Sequence, residues 1–147
     1  MIRFLVDADS CAREARLILE EKSISLGIPL LFYANRNIPF SLESSLFKMK
    51  ICPDGADSAD DLIVSECRSE DIVVTRDLLL AKRLVDKNIH ALNDKGTLFN
   101  RKNIDDLIEE RNYSLMMKSL GVATGGKMRN YGSKDSRNFL EAIESLL

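Results

Sequence analysis

The chain has 147 residues, 45% of them hydrophobic and 30% charged, with a formal net charge of −2. Those proportions exclude a natively disordered chain, and the length suits one domain able to bury roughly 68–70% of its unfolded surface without a disulfide or metal staple. The near-neutral charge excludes coating of nucleic acid by bulk positive charge, though not a local basic patch.

Ile2 to Val6 is a short apolar run of the buried-strand type, ended by Asp7. Asp9 or Ser10 is placed to cap a helix to about Lys22, in which Ala12, Ala15 and Leu19 recur at i, i+3 and i+7. Pro29 to Ala34 is the second strand, opened by a proline that costs nothing at a strand start. Phe47, Met49 and Ile51 alternate with Lys48 and Lys50, which predicts a third strand with one wet face. After a Pro53-Asp54-Gly55 turn, Ser58 is placed to cap a helix whose buried stripe is Ala59, Leu62, Ile63 and Cys67. Asp71 to Thr75 predicts a fourth strand and Leu78 to Lys87 a third helix. Ile89–Leu92 and Thr97–Phe99 flank Asp94-Lys95-Gly96, a hairpin signal. Helices from about Ile104, Tyr113 and Asp135 close the chain, the last after a glycine-containing loop from Thr124 to Gly132 and a cap at Ser133. Strand and helix alternate, which predicts an α/β sandwich: a mainly parallel central sheet, helices on both faces and a helical C-terminus, all in one domain over 1–147.

The longest mainly apolar stretch, Leu26 to Ala34, is far short of the roughly 20 residues that cross a bilayer. Asp7 interrupts the apolar start where a secretion signal would continue. Cys11, Cys52 and Cys67 are an odd count without C-x-x-C spacing, which points to a reducing cytoplasm. His90, among apolar neighbours, reads as structural and Cys67 as core; a helix start beside Cys11 is placed to lower its pKa.

In open α/β sheets ligands bind beyond the carboxyl ends of the strands. The first strand ends in Asp7-Ala8-Asp9 and the fourth in Thr75-Arg76-Asp77, while Asp57 and Asp60 open a helix three residues apart and point the same way. Asp7, Asp9, Asp57, Asp60 and Asp77 are therefore the candidate metal ligands. Two charges ~4 Å apart repel by about 4 kcal/mol at an effective dielectric near 20, which a cation relieves. Oxygen ligands without His or Cys favour Mg²⁺ or Mn²⁺, and carboxylate-held magnesium beside phosphate suits phosphodiester hydrolysis. Asp7, Asp57, Asp60 and Asp77 are the candidate catalytic residues, with Thr75 and Asn35 as supporting polar groups. Helix capping is the competing reading for Asp9 and Asp77, and a favourable helix dipole for Asp57 and Asp60.

Charge is also polarised along the chain: seven acids face one base, Arg68, between 54 and 71, and five bases face one acid, Asp135, between 118 and 137. This suggests a metal site beside an anion-binding surface, or else two solvated faces of opposite sign. Gly125 and Gly126 offer unobstructed backbone N–H groups; Lys127, Arg129, Lys134 and Arg137 add charge, Tyr131 a stacking surface, and Arg36 a further phosphate contact.

The whole chain resembles the YaiI/YqxD family of small bacterial proteins. The resemblance rests on Val-Asp-Ala-Asp at 6–9 with Cys11, Ala34-Asn35-Arg36, Gly55-x-Asp57-x-Ala59-Asp60-x-x-Ile63 and Val74-Thr75-x-Asp77 with Leu80-Ala81. It continues through Ala91-Leu92-Asn93-x-x-Gly96, Thr124-Gly125-Gly126 and the helix around Asp135, Arg137 and Phe139. It implies a PIN-like fold, whose known members are mostly metal-dependent ribonucleases, with Asp7, Asp57 or Asp60, and Asp77 in the acidic positions. Ala12, Leu79, Asp94 and Lys127 stand where family members commonly carry proline. The expected activity is a metal-dependent nuclease, with RNA favoured over DNA, no membrane partner and a homodimer left open. One alternative is a haloacid-dehalogenase-like phosphatase with Asp7 as nucleophile, although its acidic motifs come in another order. The other is a non-catalytic RNA- or partner-binding module, and no P-loop or G-x-G-x-x-G supports nucleotide chemistry.

Overall fold

The computed structural model describes residues 1–55, 58–122 and 130–147. The expected apolar runs pair into one sheet: β1 (Phe4–Asp7), β2 (Leu30–Ala34), β3 (Phe47–Ile51), β4 (Ile72–Val74), β5 (His90–Leu92) and β6 (Leu98–Phe99). Their order is β3-β2-β1-β4-β5-β6. All neighbours run parallel except β5 and β6, which form the hairpin. The helices are α1 (Arg13–Leu26), α2 (Ser58–Glu66), α3 (Leu78–Asp86), α4 (Ile104–Ser119) and α5 (Ser133–Leu146).

Strand alternation sorts the core into two layers. Phe4 and Val6, with Leu30, Phe32, Ile72 and Val74, meet Ala15 and Leu19 of α1 and Phe139 and Ile143 of α5. Leu5, Leu31, Tyr33 and Val73 meet Ile63 of α2, Leu80 and Leu84 of α3 and Ile104 of α4. This is the expected α/β sandwich, with α1 and α5 on one face and α2, α3 and α4 on the other.

Local details depart from the sequence reading. Neither Asp9 nor Ser10 caps α1: Ala8–Ser10 form a short 3₁₀ turn, and Ala12 precedes the helix without a side-chain cap. Tyr113 starts no new helix, because the segment after Ile104 contains no glycine or proline until Gly121, at φ 77°, stops α4. At α5 the cap position falls on Gly132, whose N–H donates to Asp135 Oδ2 at 3.0 Å, and Ser133 is already helical. His90 lies exposed at the start of β5, its neighbours Ile89 and Ala91 being the buried ones. Cys11 is buried, and burial pushes its thiol up rather than down.

Candidate functional site

Alternation along β1 puts Asp7 on the same side as Leu5, facing the α2–α4 layer, and the residue after β4, Thr75, falls beside it on that side. Asp7 is only 7% exposed. Thr75 Oγ1 and Ser10 Oγ each donate to its Oδ2 at 2.8 Å. The two hydroxyls are themselves fixed, since Asp77 N–H donates to Thr75 Oγ1 at 3.0 Å and Arg76 N–H to Ser10 Oγ at 3.1 Å. Among the described residues Oδ1 has no protein donor. Burial pushes the Asp7 carboxyl above its ordinary value; the two hydroxyl bonds oppose this, and the nearby charges of Asp77 and Asp9 add to it.

A cleft of about 590 Å³ opens there, lined by Asp7, Asp9, Asn35, Asp60 and Asp77 together with Ser10, Arg76 and Arg111. Four of the five expected acids thus border one space, at the carboxyl edge of the sheet. Among the described residues, however, no three acids, histidines or cysteines lie close enough to grip an ion together. Asp57 lies outside the described residues.

Each acid has its own setting. Asp77 caps α3, its Oδ1 accepting from the N–H groups of Leu79 at 2.9 Å and Leu80 at 3.2 Å. Asp9 shares charge with Arg36, whose Nε lies 3.2 Å from its Oδ1. Asp60 sits in the first turn of α2. Four of the remaining five acids of the 54–71 run scatter: Asp71 pairs with Arg3, Glu66 with Lys50, Asp61 with Arg83 and Glu70 with the N-terminus. An acidic run in sequence is here several separate ion pairs rather than one surface.

Sequence reasoning missed three contributors. Ser10 was legible only as a cap, yet its hydroxyl holds Asp7. Asp94 was legible only as a turn residue, yet its carboxylate is buried, takes three bonds from the Arg76 guanidinium and accepts Ala12 N–H at 2.7 Å. Ala12 and Asp94, far apart in the sequence, are therefore bonded to each other. Arg111 reaches the cleft from α4, and no signal near it in the sequence announces this.

Of the basic residues, Lys134 and Arg137 are exposed on the first turns of α5 and do not border the cleft. Tyr131 is held by its hydroxyl bond to Asp94 O at 2.7 Å and packs against the core, so its ring is no free stacking surface. Gly125, Gly126, Lys127 and Arg129 lie outside the described residues.

The profile of the uncharacterised YaiI/YqxD family matches residues 5–147. The chain belongs to this family. A "UPF0178 protein" of Treponema denticola is 35% identical over 147 residues, covering 99% of this chain and 92% of the relative. One of Pseudoalteromonas atlantica is 32% identical over 146 residues, covering 99% and 98%. No solved structure matches significantly. Among the described residues no helix is long and apolar enough to cross a membrane.

Proposed function

We propose that this YaiI/YqxD member is a divalent-cation-dependent phosphodiesterase acting on RNA, with the acidic cleft as its active site. The observation that carries the reading is Asp7, a buried carboxylate beside two others, with one oxygen held by hydroxyls and the other without a protein donor among the described residues. Such a group is costly to keep ionised unless a cation faces it. The donor set is all oxygen, which suits Mg²⁺ or Mn²⁺. With no three acids within reach of one ion among the described residues, it suits a magnesium-type site of one or two carboxylates completed by water and substrate phosphate, not a closed cage.

When bound, the ion supplies Lewis-acid stabilisation of phosphoryl charge and a more acidic water. The chain's own residues do the positioning. Thr75 and Ser10 lock the Asp7 carboxylate, and Asp7 with Asp60 or Asp77 would hold the cation. Asn35 and Arg36 stand at the end of β2 to meet the substrate, and Arg111 contacts its phosphate from α4. The Asp94 carboxylate holds Arg76 at the cleft wall.

Purified protein is incubated with structured and single-stranded RNA, with and without Mn²⁺. The wild type cleaves only with the ion, and Asp7→Asn does not cleave. Mn²⁺ binding to the folded state raises stability by about 2.7 kcal/mol at a hundredfold excess over Kd, and Asp7→Asn responds less. Equal melting shifts in the two proteins remove Asp7 from the site, and a trapped phosphorylated Asp7 replaces the nuclease with a phosphatase.

A further inference from the structure

A second cavity, of about 390 Å³, lies between the first turns of α1 and the segment 39–41 of the β2–β3 connection. Arg13, Arg16 and Glu20 line one side, and Pro39, Phe40 and Ser41 the other. Phe40 is a fixed wall: its ring is stacked between Phe32 and Phe47 at centroid distances of 4.3 and 4.9 Å.

The informative atom is Arg16 Nε, which is buried and has no hydrogen-bond partner among the described residues. An orphaned donor on a charged group is expensive, more so than on a neutral one. Nor does a nearby acid account for it. Glu20 directs Oε1 at Leu42 N–H, at 2.8 Å, and makes no ion pair with Arg16. Among the described residues Arg13 and Arg16 both lack a carboxylate partner. They stand three apart on α1 and so share a face. Two guanidinium groups against one engaged carboxylate give the cavity a positive lining, and guanidinium is the side chain that matches the oxygens of a phosphate group.

Its place in the fold links it to the cleft. Arg13 and Arg16 open the helix that follows β1, and residues 39–41 belong to the connection that leaves the carboxyl end of β2. Arg36, in the same β2–β3 connection, pairs with Asp9 at the cleft. We infer that the Arg13–Arg16 cavity is a phosphate-binding subsite, which holds a backbone phosphate of the polynucleotide whose other end lies in the acidic cleft. The polynucleotide as source rests on the proposed function; the phosphate chemistry does not.

The test follows the Arg16 Nε–Hε resonance in wild-type protein kept in EDTA, so that neither the cation nor hydrolysis enters. Inorganic phosphate is titrated in one arm. The other uses single-stranded oligouridylate of about eight nucleotides without terminal phosphates. Both probes shift the resonance saturably, and the oligonucleotide does so at much lower concentration. Arg16→Lys keeps the charge but loses Nε and the fork, and lowers oligonucleotide affinity about tenfold. Exposed Arg13→Ala, which cannot unfold the protein, lowers it as well. A shift with inorganic phosphate alone keeps the subsite and makes a free phosphate compound its ligand, which overturns the polynucleotide. No shift with either probe, or unchanged affinity in both variants, overturns the subsite. Because no cleavage is read, a failure here leaves hydrolysis at the cleft standing, and a failed cleavage assay leaves this subsite standing.

Discussion

Burial raises the Asp7 carboxyl above its ordinary value, so the fold without a cation favours its neutral form. A group with a raised folded pKa contributes its stability below the unfolded value, near 3.9, and that contribution is lost as pH rises through the folded value. Asp7→Asn retains an oxygen for the Thr75 and Ser10 hydroxyls and never ionises. In EDTA the variant therefore melts above the wild type at pH 7, and the advantage disappears on acidification below the carboxylate range. Saturating Mn²⁺ reverses the order at pH 7. Asp71 shows the opposite case of a buried acid with its partner in place. It is fully buried and meets Arg3 through two bonds of 3.0 and 2.7 Å, while also accepting Arg68 N–H. Asp71→Ala strands the guanidinium and is expected to cost about 3–5 kcal/mol in urea unfolding. Its neighbour Glu70 pairs with the N-terminus in the open, and Glu70→Ala stays within about 0.5 kcal/mol. Nothing in the composition of the segment distinguishes these two acids; burial does.

At the scale of elements, Asp77 is both the α3 cap and a wall of the cleft. The two roles separate by substitution. Asp77→Ala loses the cap and about 0.5–2 kcal/mol. Asp77→Asn keeps the cap and removes the charge, so in EDTA it melts like the wild type, while its response to Mn²⁺ shrinks. An unchanged Mn²⁺ response would make Asp77 a cap alone. The β5–β6 turn carries a second requirement. Gly96 has φ 89°, and a Cβ there would stand 2.5 Å from Asn138 O in α5. Gly96→Ala therefore meets both backbone strain and a clash, and should cost at least about 2 kcal/mol in chemical denaturation. Gly27→Ala, with φ 67° but open space, should cost about 1 kcal/mol. Most elements were legible because their signals are local: alternation in Phe47–Ile51, an i, i+3, i+7 stripe in α1, a turn at Asp94-Lys95-Gly96. Caps were less legible. Asp9 and Ser10 had suitable chemistry for α1, but the 3₁₀ turn turned Ser10 toward Asp7 instead.

Across the whole molecule, the strand order reverses between β1 and β4, with β2 and β3 laid to one side and β5 and β6 to the other. The loops leaving β1 and β4 therefore diverge, and a crevice opens between them, which is where such sheets bind ligands. Asp7, Thr75 and Asp77 stand at that divergence. Arg111 arrives from α4, far along the chain, and its Nη1 lies 3.4 Å from Asn112 Oδ1. Among the described residues it is a cleft-lining cation without a carboxylate partner, unlike Arg76. Arg111→Ala is expected to weaken RNA binding and flatten the salt dependence by about 0.7 in log–log slope. Its melting response to Mn²⁺ should match the wild type, because in the proposed function the residue meets phosphate and not the cation. Unchanged affinity and slope would leave Arg111 a surface residue.

The sequence by itself determined the alternation of strands and helices, the two-sided burial of the parallel strands and the placing of Asp7, Thr75 and Asp77 at strand ends. These depend on residue types a few positions apart, and period-2 and period-3.6 spacing reports them directly. Tertiary structure alone decided which strand ends became neighbours. Spacing does not encode strand order, and only the β1–β4 pairing brings the Thr75 hydroxyl onto the Asp7 carboxylate. The same non-local packing divided the acidic run into separate ion pairs, buried Asp94 against Arg76 and Ala12, and left Arg16 Nε without an acceptor beside its cavity. In each case the deciding quantity is access to water, which a side chain acquires only when distant segments close over it.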